Sequence, residues 1–149
     1  MVFDNTVGAI LHHKGTNVSS VHPLTPVYTA LEIMAAQDIG ALLVMENNQL
    51  RGIFSERDYA RKVILHGKAS KDTPVHEIMS GQLVPVTRAQ TIDDCMRFMT
   101  ECRVRYLPVV ENGAVLGLVS IGDVVNWTIR QQEEEITHLH HYIAGSYPA

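Results

Sequence analysis

Short runs of apolar residues and longer stretches of helically spaced apolar positions follow one another along the chain in a fixed series, and the series occurs twice. Sliding the sequence against itself gives one register, at an offset of 65 positions, that needs no gap for over forty residues. In it Val21 meets Val86, Met34 meets Met99, Leu42 meets Leu107, Val44 meets Val109, and Gly52, Ser55 and Asp58 meet Gly117, Ser120 and Asp123. The matches fall on both packing and polar positions.

Each copy predicts the same elements. A strand-like step at 18–21 or 83–86 is followed by a helix. In the first copy Thr25 suits the N-cap and Pro26 the first turn, with Val27, Ala30, Leu31 and Met34 on one face. In the second, Ile92, Cys95, Met96 and Met99 share a face. A short strand follows at 41–45 or 106–110, then a polar turn at Asn47-Asn48 or Asn112-Gly113 and a second strand ending at Phe54 or Val119. A closing helix starts at Ser55 or Ser120, with Val63 and Ile64 or Val124, Val125 and Ile129 on its apolar side. Each β-α-β-β-α unit has a helical lead-in: Val75, Ile78 and Met79 after Thr73-Pro74 echo Val7, Ile10 and Leu11. The expected organisation is a first repeat over 7–69, a second over 74–131 and a tail over 132–149. A unit of about 60 residues is marginal alone, so the two are expected to pack sheet to sheet about a pseudo-two-fold axis, with clefts between them.

At 149 residues there is room for this pair and little else. Apolar residues are 46% and charged residues 19%, which fits a folded globular chain. A net charge of −4 gives no overall attraction to nucleic acid or anionic membranes. Cys95 and Cys102 are seven positions apart on a predicted helix, about 10 Å, too far for a mutual disulfide. Free thiols, with neither a signal-like segment nor a long apolar run, predict a cytoplasmic setting.

The most specific pattern lies where the last strand of each repeat enters its closing helix: Gly52-Ile53-Phe54-Ser55-Glu56-Arg57-Asp58 and Gly117-Leu118-Val119-Ser120-Ile121-Gly122-Asp123. One reading is helix capping, with Ser at N-cap and Asp at N3, although Glu or Gln is the usual N3 partner. The other uses the same geometry for a ligand. The helix start and a serine hydroxyl suit phosphate, and a nearby carboxylate suits ribose hydroxyls.

Two β-α-β-β-α repeats each ending in Gly-apolar-apolar-Ser-x-x-Asp resemble a tandem cystathionine-β-synthase-type (CBS) domain pair, or Bateman module, over roughly residues 7 to 131. The resemblance implies an α+β fold of the α/β kind and a non-catalytic regulatory or energy-sensing role. It implies an adenine ligand of the AMP, ADP, ATP, NAD or NADH class, with S-adenosylmethionine further down the order. One implied site joins Val119, Ser120 and Asp123 to Thr16, Ser19, Ile39, Gly40 and Ala41, with Ile39 over the adenine. The other joins Ser55, Arg57 and Asp58 to Leu83, Val84, Val104, Arg105 and Tyr106. Arg57 and Arg105 stand where the first site has Gly122 and Gly40, so more phosphate charge is expected at Asp58. Tyr106 replaces Ala41, and either stacks on a base or fills the cleft. The family also implies a homodimer and an unidentified regulated partner protein.

Eight histidines raise the question of a metal, but of His138, His140 and His141 only His138 with His141 has helical ligand spacing, and no cysteine or carboxylate set completes a site. The cysteines lie among Met96 and Met99 and read as core. Neither Ser55 nor Ser120 has an adjacent histidine base, so no enzyme is expected. In the tail, acidic residues 133–135 precede Ile136, Leu139, Tyr142 and Ile143 at helical spacing, an amphipathic helix whose stripe packs on its own module or on a second subunit. The alternative to nucleotide sensing is a protein-interaction or dimerisation module with vestigial clefts.

Overall fold

The computed structural model describes residues 5–15 and 18–146. The chain opens with α1 (Val7–Lys14), capped by Thr6, whose hydroxyl oxygen accepts from the Ala9 N–H. The first repeat runs β1 (Ser20–Val21), α2 (Val27–Gln37), β2 (Ala41–Glu46), β3 (Gln49–Ser55) and α3 (Glu56–Asp58), which passes directly into a π-helical stretch, Tyr59–Ile64. The second runs α4 (Ile92–Glu101), β4 (Tyr106–Glu111), β5 (Ala114–Ser120) and a long α5 (Ile121–Ser146).

β1 pairs in parallel with β2, which pairs in antiparallel with β3. The counterpart of β1 in the second repeat is shorter than its pattern predicts. It is a parallel bridge between Val86 and Val109, with Val86 N–H to Pro108 O and Val110 N–H to Val86 O both at 2.9 Å. Both hairpins turn on two residues in the left-handed region, Asn47 and Asn48 in one and Asn112 and Gly113 in the other, as a two-residue type I′ turn requires. Both carry a bulge at the same place, after Val44 and after Val109. The 65-residue offset is therefore a structural repeat down to its irregularities.

Period-two alternation sorts the strands into faces. Leu42, Val44 and Phe54 join Val27, Met34 and Val63 in one core, and Leu107, Val109 and Val119 join Cys95, Met99 and Val124 in a second. The alternate residues Ala41, Leu43 and Ile53 meet Leu83, Tyr106 and Leu118 in a third cluster, where the sheets pack on each other.

The lead-ins are exchanged. Val7, Ile10 and Leu11 of α1 belong to the core of the second repeat, while Val75 and Ile78 belong to the core of the first. Matching backbone pairs tie the crossings: Val7 N–H to Gln90 O and Ile92 N–H to Asn5 O, both at 2.8 Å, against Val27 N–H to Thr73 O at 2.9 Å and Val75 N–H to Thr25 O at 2.8 Å. The 7–69 and 74–131 repeats of the sequence reading thus each complete their partner's core.

Other details differ from expectation. The second lead-in is a single 3-10 turn, Val75–Glu77. Pro26 is the N-cap of α2, while Thr25 accepts from the His22 N–H instead and closes the preceding turn. Cys95 is buried and its thiol pKa is pushed up to about 11 by burial and then by Asp94, which keeps it protonated and inert. Cys102 lies just past the end of α4 and is half-buried, and Met96 is exposed, so the apolar face of α4 is narrower than its spacing implies. Ile64, Val125 and Ile129 are exposed as well. No helix among the described residues is long and apolar enough to cross a membrane.

Candidate functional site

The alternation that sends Phe54 and Val119 into the two cores turns the following residues, Ser55 and Ser120, to the space between the sheets. Each serine is the N-cap of its closing helix. Ser55 Oγ accepts from the Asp58 N–H at 3.2 Å, and Asp58 Oδ2 accepts from the Ser55 N–H at 3.0 Å. In the second repeat the same two bonds measure 3.0 and 2.8 Å.

A third box, Thr91 with Asp94, opens α4 with bonds of 3.0 and 3.1 Å and lines neither cleft. The backbone bond from Thr91 holds the Asp94 carboxyl below its ordinary range. Asp therefore serves at N3 as well as the longer acids, and its presence in the repeated motif does not by itself require a ligand. Thr91→Ala is expected to cost about 1 kcal/mol of stability, read by urea denaturation, and to leave both clefts unchanged.

Each motif aspartate also has a lysine. Lys14, from the exchanged α1, donates to Asp123 Oδ2 at 2.6 Å and to Leu118 O at 2.9 Å. Lys62, one turn on from Asp58, lies 3.1 Å from Asp58 Oδ1 and donates to Ile78 O at 3.1 Å. Neither lysine was among the sequence candidates. Lys62 stands at the i+4 spacing that signals such a pair, whereas Lys14 is 109 residues from its partner and reaches it only through the exchange.

Two clefts flank the centre of the sheet packing. The first, about 190 Å³, brings Ser55, Arg57 and Asp58 to Val104, Arg105 and Tyr106, with Arg103, Ser80 and Gln82 completing its wall. Leu83 and Val84 do not line it. Leu83 packs between the sheets and Val84 against the second core, because Ser80 is held to Ile53 by a pair of backbone bonds and takes up that side of the wall. The second cleft, about 330 Å³, brings Ser120 and Asp123 to Ser19, Ile39, Gly40 and Ala41, with Lys14, Gln37, Asp38 and Leu118. Val119 is fully buried in the core and is replaced at the cleft by Leu118, one residue out of phase. Ser19 bonds Gln37 through its hydroxyl. Thr16 lies outside the described residues.

The clefts differ in charge. Arg57, Arg103 and Arg105 face the first against the single carboxylate of Asp58, and the Arg57 guanidinium has its pKa lowered by partial desolvation and then by Arg105 and Arg61. Arg103 was not singled out from sequence; it sits in the left-handed region just past α4, which turns it toward the cleft. The second cleft carries Asp38 and Asp123 against Lys14. A polyanion fits the first and a less charged ligand the second.

Tyr106 lines both. A Cβ placed on Gly40 would lie 2.9 Å from its hydroxyl, so glycine at 40 is what lets the ring span from one cleft to the other. Burial raises the Tyr106 pKa, followed by Glu56 and, more weakly, Asp123 and Asp58. The phenol stays neutral at physiological pH and is a hydrogen-bond donor shared between the two sites. Neither cleft is lined by a histidine or cysteine. Among the described residues, no three His, Cys, Asp or Glu side chains are grouped to hold a metal.

Comparison with known proteins agrees with this architecture. The CBS domain model matches residues 7–65 and 75–130. The CBS domain-containing protein CBSX3, mitochondrial, of Arabidopsis thaliana is 40% identical over 126 residues, covering 81% of this chain and 61% of that protein, so this chain spans about three fifths of that relative's length. YhcV of Bacillus subtilis (strain 168) is 31% identical over 109 residues, 73% of this chain and 77% of that one. A solved protein with CBS domains from Burkholderia ambifaria MC40-6, named for signal transduction, superposes with a TM-score of 0.81 at 45% identity over 85% of this chain and 96% of that one. With both matched segments falling on the two structural repeats, this chain belongs to the CBS-domain family of regulatory modules, as a tandem pair.

Proposed function

We propose that the chain is a non-catalytic adenine-nucleotide sensor whose clefts bind ligands of the AMP, ATP or NAD class and whose occupancy alters docking to a partner protein. The observation that carries this reading is the cross-repeat composition of each cleft: Asp58 faces Val104, Arg105 and Tyr106, and Asp123 faces Ser19, Ile39, Gly40 and Ala41. A ligand bridging the repeats bonds both at once and so acts on their relative placement through its differential affinity for two arrangements. Ribose hydroxyls would go to the aspartates and phosphates to Ser55, Arg57 and Arg105 in one cleft and to Ser120 in the other. Ile39 would cover an adenine. The free thiols support a reducing compartment, and the cytoplasm is the one we propose.

Calorimetric titration with AMP, ATP, NAD, NADH and S-adenosylmethionine tests this reading. Saturable binding is expected, weakened at least about tenfold by Asp58→Ala or Asp123→Ala, which is roughly 1.4 kcal/mol of ribose contact. At the Asp58 cleft ATP is expected to bind more tightly than AMP, and to lose about tenfold or more in Arg105→Ala. A folded, nucleotide-free protein that binds none of these at millimolar concentration would sink the proposal.

A second reading has its own support. The serine and aspartate of each motif already satisfy each other, Lys14 already bonds Asp123, and the first N–H of each closing helix is taken by its own repeat, Glu56 N–H by Gly40 O at 3.1 Å and Ile121 N–H by Arg105 O at 2.9 Å. On that reading the clefts are vestigial, and the protein works through its outer surfaces as an interaction or dimerisation module.

A further inference from the structure

Positions 41 and 106 are equivalent in the repeat, yet one holds alanine and the other tyrosine, and the residues before them are Gly40 and Arg105. Across the sheet packing the small pair receives the large side chain. Tyr106 packs in the same cluster as Ala41, and a Cβ on Gly40 would come within 2.9 Å of its hydroxyl. Among the described residues, that oxygen is the only atom such a Cβ would meet within 4 Å. The ring's neighbours in the cluster belong to both sides: Ile53 also lines the first cleft, and Ala41 and Leu118 the second. No described residue hydrogen-bonds the hydroxyl and fixes it in place. The ring is held between the two sheets, and the space open to it is that of the clefts.

We propose that Tyr106 is a movable wall common to both clefts, so that filling one narrows the other; the ligands are those of the nucleotide reading above, on which this inference rests. A close-packed layer passes a displacement on instead of absorbing it. A ligand entering the first cleft, the smaller at about 190 Å³, gains room by pressing the ring toward Gly40, which with Ile39 and Ala41 lines the second. A ligand in the second cleft drives the hydroxyl the other way, into the wall that Tyr106 forms with Val104 and Arg105. The clefts are therefore antagonistic. Because the first suits a polyanion and the second a less charged ligand, the state of the chain follows the ratio of the two ligands and not the amount of either. One substitution imitates a filled second cleft without any ligand. Gly40 lies outside the left-handed region, so alanine takes the same backbone, and its methyl group bears on the Tyr106 hydroxyl.

The test follows backbone amides of the full chain by two-dimensional NMR, with Ser80 and Gln82 reporting the first cleft and Gln37 and Asp38 the second. Without ligand, Gly40→Ala is expected to shift the Ser80 and Gln82 amides, although position 40 lines only the other cleft. Tyr106→Phe keeps the ring and removes the colliding oxygen, and in that background Gly40→Ala is expected to leave them still. With ATP, Gly40→Ala is expected to weaken binding at the first cleft at least about tenfold, and again not in Tyr106→Phe. Titrated with AMP, the unsubstituted chain is expected to saturate its two sets of amides in succession, over an interval that Tyr106→Ala shortens at least about tenfold. The proposal is overturned by first-cleft amides and ATP affinity indifferent to Gly40→Ala, by the same effect of Gly40→Ala with Phe at 106, or by an interval that Tyr106→Ala leaves unchanged. If no amide of either cleft moves with AMP, ATP or NAD, the nucleotide reading fails by itself; the Gly40→Ala comparison needs no ligand and still decides whether the wall is shared.

Discussion

Phe54→Ala is expected to lower the free energy of unfolding by about 3–5 kcal/mol, against a typical total of about 5–15 kcal/mol. Phe54 is fully buried and, among the described residues, is the largest of the completely enclosed side chains. It sits at the end of β3, among Val27, Met34 and Val63 of its own repeat and Val75 and Ile78 of the exchanged lead-in. Truncation to the β-carbon therefore opens a cavity bounded by three separate stretches of chain, and no single one can collapse into it. Urea denaturation followed by circular dichroism reads the loss as a shift in midpoint at unchanged slope. A loss below about 1.5 kcal/mol would show that the lead-in closes over the void, and that this core is looser than its burial implies. The neighbouring Ser55–Asp58 box depends on the same strand end, so the first cleft is expected to lose order with it.

Gly52→Ala is expected to destabilise by about 1–3 kcal/mol and Gly117→Ala by well under half as much. The two glycines are equivalent in the repeat, yet the obstacles differ. A Cβ at Gly52 would fall 2.7 Å from Met79 Sδ and 2.8 Å from Ser80 O, and the Ser80 backbone is fixed by its two bonds to Ile53, at 2.9 and 3.0 Å. At Gly117 the obstacle is Leu11 Cδ2, the end of a side chain that has other rotamers available. Thermal or urea unfolding of the two variants side by side measures the difference; equal losses would mean that the 79–80 segment yields as easily as a leucine methyl. The glycine that opens each repeated motif thus has a packing role, admitting an exchanged lead-in against the strand, separate from any ligand.

Much of this was legible in the sequence because the repeat gives two readings of each element. The hairpins, their turns and the facing of Ser55 and Ser120 follow from period-two alternation and from Asn47-Asn48 and Asn112-Gly113. What could not be read is what depends on distant partners. α1 and residues 75–79 have matching patterns, but nothing in a pattern says that Leu11 packs under Gly117 instead of beside Gly52. Lys14 was missed for that reason. Leu83, Val84 and Val119 were placed at the clefts by matching positions; a one-residue phase turns Val119 into the core and leaves Leu118 at the cleft, while Ser80, held by its two bonds to Ile53, takes the side of the wall expected for Leu83 and Val84. Arg103 was missed because a single left-handed residue past α4 aims it.

The exchange of lead-ins also bears on how the molecule is made. Residues 7–11 leave the ribosome before the rest of the module, but the core that receives them includes Val119 and Val124. α1 is too short to hold a helical form by itself, so it must wait, unfolded or loosely docked, while more than a hundred further residues are synthesised. The first repeat is free to close once residues 75–78 have emerged, and the second cannot be completed until nearly the whole module is out. Synthesis therefore imposes an order, first repeat before second, that the near symmetry of the finished fold conceals. The closing event within the module is the capture of α1 by the end of the second repeat, a long-range closure of the kind that slows folding.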